Sequence, residues 1–152
     1  MGLTQEGIHK WLNDTFRDSA SPVYLALFTA SGEVSAPSYT RLPITFSAPA
    51  NREITNDAEV KFPIAAEEWG DITGAGIFDS ETAGIRLDES TITDARFIRS
   101  NDQFYVPPGN MIVRIRNTDL EAKKNAIDLV NASSLPAGDK TAIINKIEAM
   151  VV

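Results

Sequence analysis
The chain has 152 residues, 43% of them hydrophobic, no cysteine, and a formal net charge of −7. That length supports a hydrophobic core without covalent staples. The lack of cysteine excludes disulfides, cysteine–zinc sites and thiol catalysis, and the acidic balance works against non-specific nucleic-acid binding.

Met1 to Lys10 carry no basic segment followed by an apolar run, so no secretory signal is expected. No apolar stretch approaches membrane-spanning length. Ile8, Trp11, Leu12, Thr15 and Phe16 recur at helical spacing and predict a short amphipathic helix over residues 1–18. Thr4 is placed to cap it, and Pro22 closes the region.

From about residue 22 to 117 the pattern is β. Val23 to Thr29 is an apolar strand expected to be buried on both faces, followed by turn residues at Ser31-Gly32 and Pro37-Ser38. Ile44-Thr45-Phe46 alternates, as do Val60, Phe62 and Ile64, where Pro63 marks an edge or a strand end. Gly74 and Gly76 leave one face of their strand bare for close approach of another layer. Ile85, Leu87 and Ile92 predict a short strand or hairpin. Phe97-Ile98 and Phe104 to Val106 lead to the turn Pro107 to Asn110, and Met111 to Arg116 predicts a half-buried strand. With turn signals at short intervals and no helical period between strands, the fold class is mostly β, an antiparallel β-sandwich or jelly-roll-like body.

Residues 118–152 predict a C-terminal αα-hairpin. Asp119 caps the first helix, with Ala122, Ala126, Ile127, Leu129 and Val130 on its apolar face. Asp139 caps the second, which carries Ile143, Ile144, Ile147, Met150 and Val151. So small a hairpin is marginal alone, and its apolar stripe must dock on the β body, on the N-terminal helix or on another chain.

No catalytic, cofactor or metal residue is expected. His9 is the one histidine and lacks triad or zinc partners in sequence. Glu67, Glu68, Asp71, Asp79 and Glu81 match no calcium-loop spacing and are expected to be solvated. Gly70, Gly74 and Gly76 match no phosphate loop. Ser80, Ser90 and Ser100 lack a nucleophile elbow. Arg96, Arg99, Arg114 and Arg116 are expected to be ion-pair partners for acidic residues. Trp11, Phe16, Trp69, Ile143, Ile147 and Met150 are the candidates for an assembly interface.

Residues 22 to 117 resemble a family of small phage virion proteins of the tail-fibre or tail-associated kind. The resemblance is carried in order by Val23 to Ala30, Tyr39-Thr40-Arg41, Asn56, Val60 to Ala65, Trp69-Gly70, Gly76-Ile77-Phe78-Asp79, Gly84 to Leu87 and the closing Phe104 to Ile115. Ala83 stands where that family often has a glycine, and the helical residues 119–152 are not a common feature of it. The resemblance implies a non-enzymatic virion structural protein, made in the host cytoplasm, that acts by assembly with other virion proteins as a homo-oligomer. It implies neither cofactor nor catalytic residues, and Tyr39, Phe62, Trp69 and Phe78 would mark the core or a subunit contact. A capsid head-decoration protein and a carbohydrate-recognition module reading a host-surface glycan through Trp69 are the alternatives. Neither a nucleic-acid nor a membrane partner is expected.

Overall fold
In the computed structural model, residues 4–115 and 126–149 are described. They divide between two compact units, Gln5–Arg114 and a second unit that includes the residues from Ile115 onward.

The first unit opens with α1 (Gln5–Leu12), which begins directly after Thr4 and runs into a π-helical turn, Asn13–Arg17. The wider turn keeps Phe16 on the side of Ile8 and Leu12, and all three are buried. Phe16 meets Phe46 edge to face, with ring centroids 5.9 Å apart, and the backbone N–H of Arg52 points to His9 Nε2 at 3.4 Å. The N-terminal helix is thus part of the β unit.

Nine antiparallel strands follow: β1 (Val23–Thr29), β2 (Gly32–Glu33), β3 (Leu42–Ile44), β4 (Glu53–Thr55), β5 (Val60–Lys61), β6 (Gly70–Phe78), β7 (Arg86–Ile98), β8 (Tyr105–Val106) and β9 (Ile112–Arg114). The expected antiparallel β body is present, with layers of unequal size. One sheet holds β2 and β3 on one edge of β1, then β6, then β7; the pairs β4–β9 and β5–β8 are short ribbons.

The ribbons and the β6–β7 pair belong to a single long hairpin. Glu53 lies opposite Arg114 at its base, Val60 opposite Val106, Gly70 opposite Ile98, and Phe78 opposite Arg86 near its tip. Between the ladders, Phe62 N–H donates to Phe104 O, Ala65 N–H to Asp102 O and Trp69 N–H to Ile98 O. The register therefore drifts by a few residues across the whole span, broken by Pro63 and by bulges. β1 pairs with the distal half of this hairpin through Leu25 opposite Ile77 and Leu27 opposite Ala75. Leu25, Leu27, Ile72, Ile77, Ile54 and Phe62 are among the most deeply buried side chains.

Gly76 makes room for side chains of neighbouring strands, and Gly74 for the Ser90 carbonyl of β7, not for another layer. A Cβ on Gly76 would sit 2.9 Å from Phe28 Cε2 and 3.2 Å from Arg86 Cδ. The Phe28 ring in turn stacks on Phe78 with centroids 6.2 Å apart. The stretch from Ile85 to Ile98, expected to be fragmentary, contains one continuous 13-residue strand, β7. Pro107 to Asn110 forms the expected turn, with Gly109 at φ +82° and Asn110 N–H donating to Pro107 O.

In the second unit, residues 126–132 are helical (α2), and α3 spans Ala137–Glu148. Pro136 occupies the N-cap of α3. Asp139, expected to be the cap, lies in the first turn, where its charge complements the helix dipole. Residues 116–125, including Asp119, lie outside the described residues.

Candidate functional site
The sequence motifs converge on a clasp that fastens the hairpin tip to the sheet. The edge of β1 opposite β6 is covered by β3 over Val23 to Leu25 and by β2 at Phe28 and Thr29, leaving Ala26 and Leu27 between them. Tyr39 fills that gap: Leu27 N–H donates to its Oη at 2.9 Å, and the Tyr39 hydroxyl donates to Glu33 Oε1 at 3.1 Å. Burial, acting first, raises the Tyr39 phenol above its ordinary value, so it stays a neutral donor.

Arg41, buried, forks onto the same carboxylate. Nε donates to Glu33 Oε1 and Nη2 to Oε2, both at 2.8 Å. Nη1 donates to the carbonyls of Ser80 at 2.9 Å and Ala83 at 2.7 Å, and the guanidinium carbon stands 3.6 Å from the Phe78 ring centroid. These bonds hold Glu33 below the usual carboxylate value against partial burial, and raise Arg41. The tip closes on itself as Asp79 Oδ1 accepts from Ile85 N–H at 2.7 Å. Gly84, at φ +74°, lies so close to Asp79 Oδ1 that a side chain there would collide with it. Removing the Tyr39 hydroxyl (Y39F) leaves the buried Leu27 amide unsatisfied. A loss of about 2 kcal/mol in urea unfolding is expected, with faster exchange of the Leu27 amide proton.

The interface candidates lie in different settings. Trp11 is 46% exposed at the end of α1 and meets Phe16 edge to face at 5.6 Å, but Phe16 itself is buried. Trp69 is buried in an aromatic cluster with Tyr39 and Phe62, and Phe62 also meets Phe104. Trp69 Nε1 donates to Ser38 Oγ at 3.0 Å, and that hydroxyl donates to Glu67 Oε1 at 2.7 Å. Ile143 is exposed and Ile147 half-buried on α3, whereas Met150 lies outside the described residues. The structure thus brings Trp11 and Phe16 together and separates both from Trp69.

Glu67 and Asp79, read as solvated, hold Ser38 and the hairpin tip respectively. Among the described residues, no three acidic or histidine side chains are grouped as metal ligands would be. Arg114 pairs with Glu53 at 2.6 Å, Arg99 lies over the Phe97 ring, and Arg96 has no ion pair among the described residues; Arg116 lies outside them.

Two surface features escaped the sequence reading. One is the long open strand β7, with Ile85 just before it 67% exposed and Phe97 near its end 39% exposed. The other is an open groove of about 380 Å³ between β7 and the β8–β9 turn, bordered by Ile92, Tyr105 and Ile112. The uninterrupted run from Ile85 to Ser100, without glycine or proline, was the available signal for one long strand.

A search of curated proteins finds no match to the chain. Residues 3–114 match the family model described as podophage GP4 fiber I protein gp80, over nearly the same span as the compact unit Gln5–Arg114 that the clasp and the long hairpin build, and the chain belongs to that family.

Proposed function
We propose that this chain is a structural component of a phage virion, part of or attached to the tail fibre, and that it acts by assembly and binding, not by catalysis. The observation that carries this reading is a coincidence of boundaries. The family match ends at residue 114, where the compact β unit also ends, so the matched family corresponds to that unit.

Within the second unit α3 has no buried residue, and Leu129, Leu135 and Ile143 are exposed. Helices this short gain little stability by themselves, so their apolar side chains are best used against a neighbouring virion subunit, a second copy or another virion protein. The family match favours the fibre over capsid decoration. The glycan-reading alternative loses its platform, because the Trp69 ring is buried.

The test keeps the full chain and replaces Ile143 and Ile147 together with aspartate. Lowered association in light scattering and failure to co-purify with virions are expected. Unchanged mass together with normal incorporation would remove the second unit as the assembly element.

A further inference from the structure
β7 is an open edge of the five-stranded sheet. It pairs with β6 on one side, and none of the named strands pairs with its other side. The opposite edge of the sheet is shared by the two residues of β2 and the three of β3. β7 runs 13 residues, about 40 Å, and buries Ile98 alone. Such an edge presents a row of N–H and C=O groups that another strand can take up. Residues 92–95 stand opposite Thr73 alone, outside the β6 register, because Thr91 pairs with Gly74 and Arg96 with Ile72.

The sequence of β7 selects the strand that fits it. An antiparallel copy of β7 laid against it about a two-fold axis at Ile92, its midpoint, pairs the strand over its full length. Asp88 then faces Arg96 of the second copy, an ion pair that the symmetry repeats. Thr91 faces Thr93, and Leu87 faces Phe97; all are favourable cross-strand pairs. A slip by one residue in one direction sets Glu89 against Asp94. A slip by two sets Asp88 against Asp94 and Arg86 against Arg96. A slip by one the other way keeps Glu89 with Arg96 but carries Arg86 against Arg99.

Among the described residues, the two groups that would pair have no such partner. Arg96 is exposed and makes no ion pair among the described residues, and neither does Asp88. Asp88 is half-buried, and that burial pushes its carboxyl upward. We infer that β7 pairs antiparallel with β7 of a second copy of this chain about a two-fold axis at Ile92, joining two sheets into one. The inference rests on this strand and not on the helices of the second unit. The rival reading is that the bulge and the charges of β7 guard the edge against pairing.

Because the chain has no cysteine, any disulfide formed by Ile92→Cys joins two chains. Mild oxidation of the full-length variant should give a covalent dimer, while Thr82→Cys, on the exposed hairpin tip, should not. Arg96→Asp should weaken dimerisation about tenfold in sedimentation, and adding Asp88→Arg should restore it. The same measurements in the Ile143→Asp/Ile147→Asp background separate strand pairing from helix association. No faster cross-linking at residue 92 than at residue 82, or no rescue by the double charge swap, would overturn the inference in favour of a guarded edge, whatever the helices do.

Discussion

Arg41→Met will lower the unfolding free energy by about 3 kcal/mol at neutral pH, read from urea unfolding followed by tryptophan fluorescence. Methionine keeps much of the stem volume against Phe78 but removes every polar contact. Glu33 is left partly buried without its countercharge, and the carbonyls of Ser80 and Ala83 lose their donor. The Glu33 side chain keeps 28% of its exposure, which places the loss at the lower end for a broken buried pair. Arg41→Lys keeps the charge without the fork and should cost about half as much.

The pH dependence follows from the lowered Glu33 value. A carboxyl depressed in the folded state contributes stability that is present above the ordinary carboxylate range and lost as pH falls through its lowered value. The gap between wild type and Arg41→Met should therefore narrow on acidification. A gap that stays constant would assign the loss to packing against Phe78, not to the ion pair.

The clasp shows what sequence can and cannot reveal in this fold. Tyr39, Arg41 and Gly76 to Asp79 stand out as motif residues, but their union does not, because Arg41 reaches carbonyls some forty residues away in sequence. A charged residue is also assigned to the surface by default. β1 was legible because an apolar run buried on both faces has few other readings. β7 was not, because a strand with its edge and much of both faces in solvent need not alternate polar with apolar residues.

Trp69 was expected in the core or at a subunit contact, and it lies in the core. Ser38 and Tyr39, distant in sequence, draw it inside. The spacing of Ile8, Leu12 and Phe16 disclosed the first helix but not its destination. Phe46 receives Phe16, and Ile8 and Leu12 are buried beside it, while Trp11 stays exposed.

Asn56→Leu will lower the unfolding free energy by about 4 kcal/mol. Asn56 is 1% exposed and joins the two ribbons. Its Nδ2 donates to the carbonyls of Ala58 and Pro107, both at 2.9 Å, and its Oδ1 accepts from Met111 N–H at 2.8 Å. Its own backbone N–H and C=O pair with Met111 O and Gly109 N–H. One side chain thus fixes the Pro107 to Asn110 turn between β8 and β9, and leucine leaves the buried Met111 amide with no acceptor there. Asn56→Asp separates donor from acceptor. A carboxylate still accepts from Met111 but faces two carbonyls it cannot donate to, so its folded-state pKa must rise. A raised carboxyl pKa destabilises the fold above the ordinary carboxylate range, and protonation relieves it. Asn56→Asp should therefore recover part of its loss on acidification while Asn56→Leu does not. Parallel losses for the two variants at both pH values would mean that the amide donors hold nothing and that the turn stands without them.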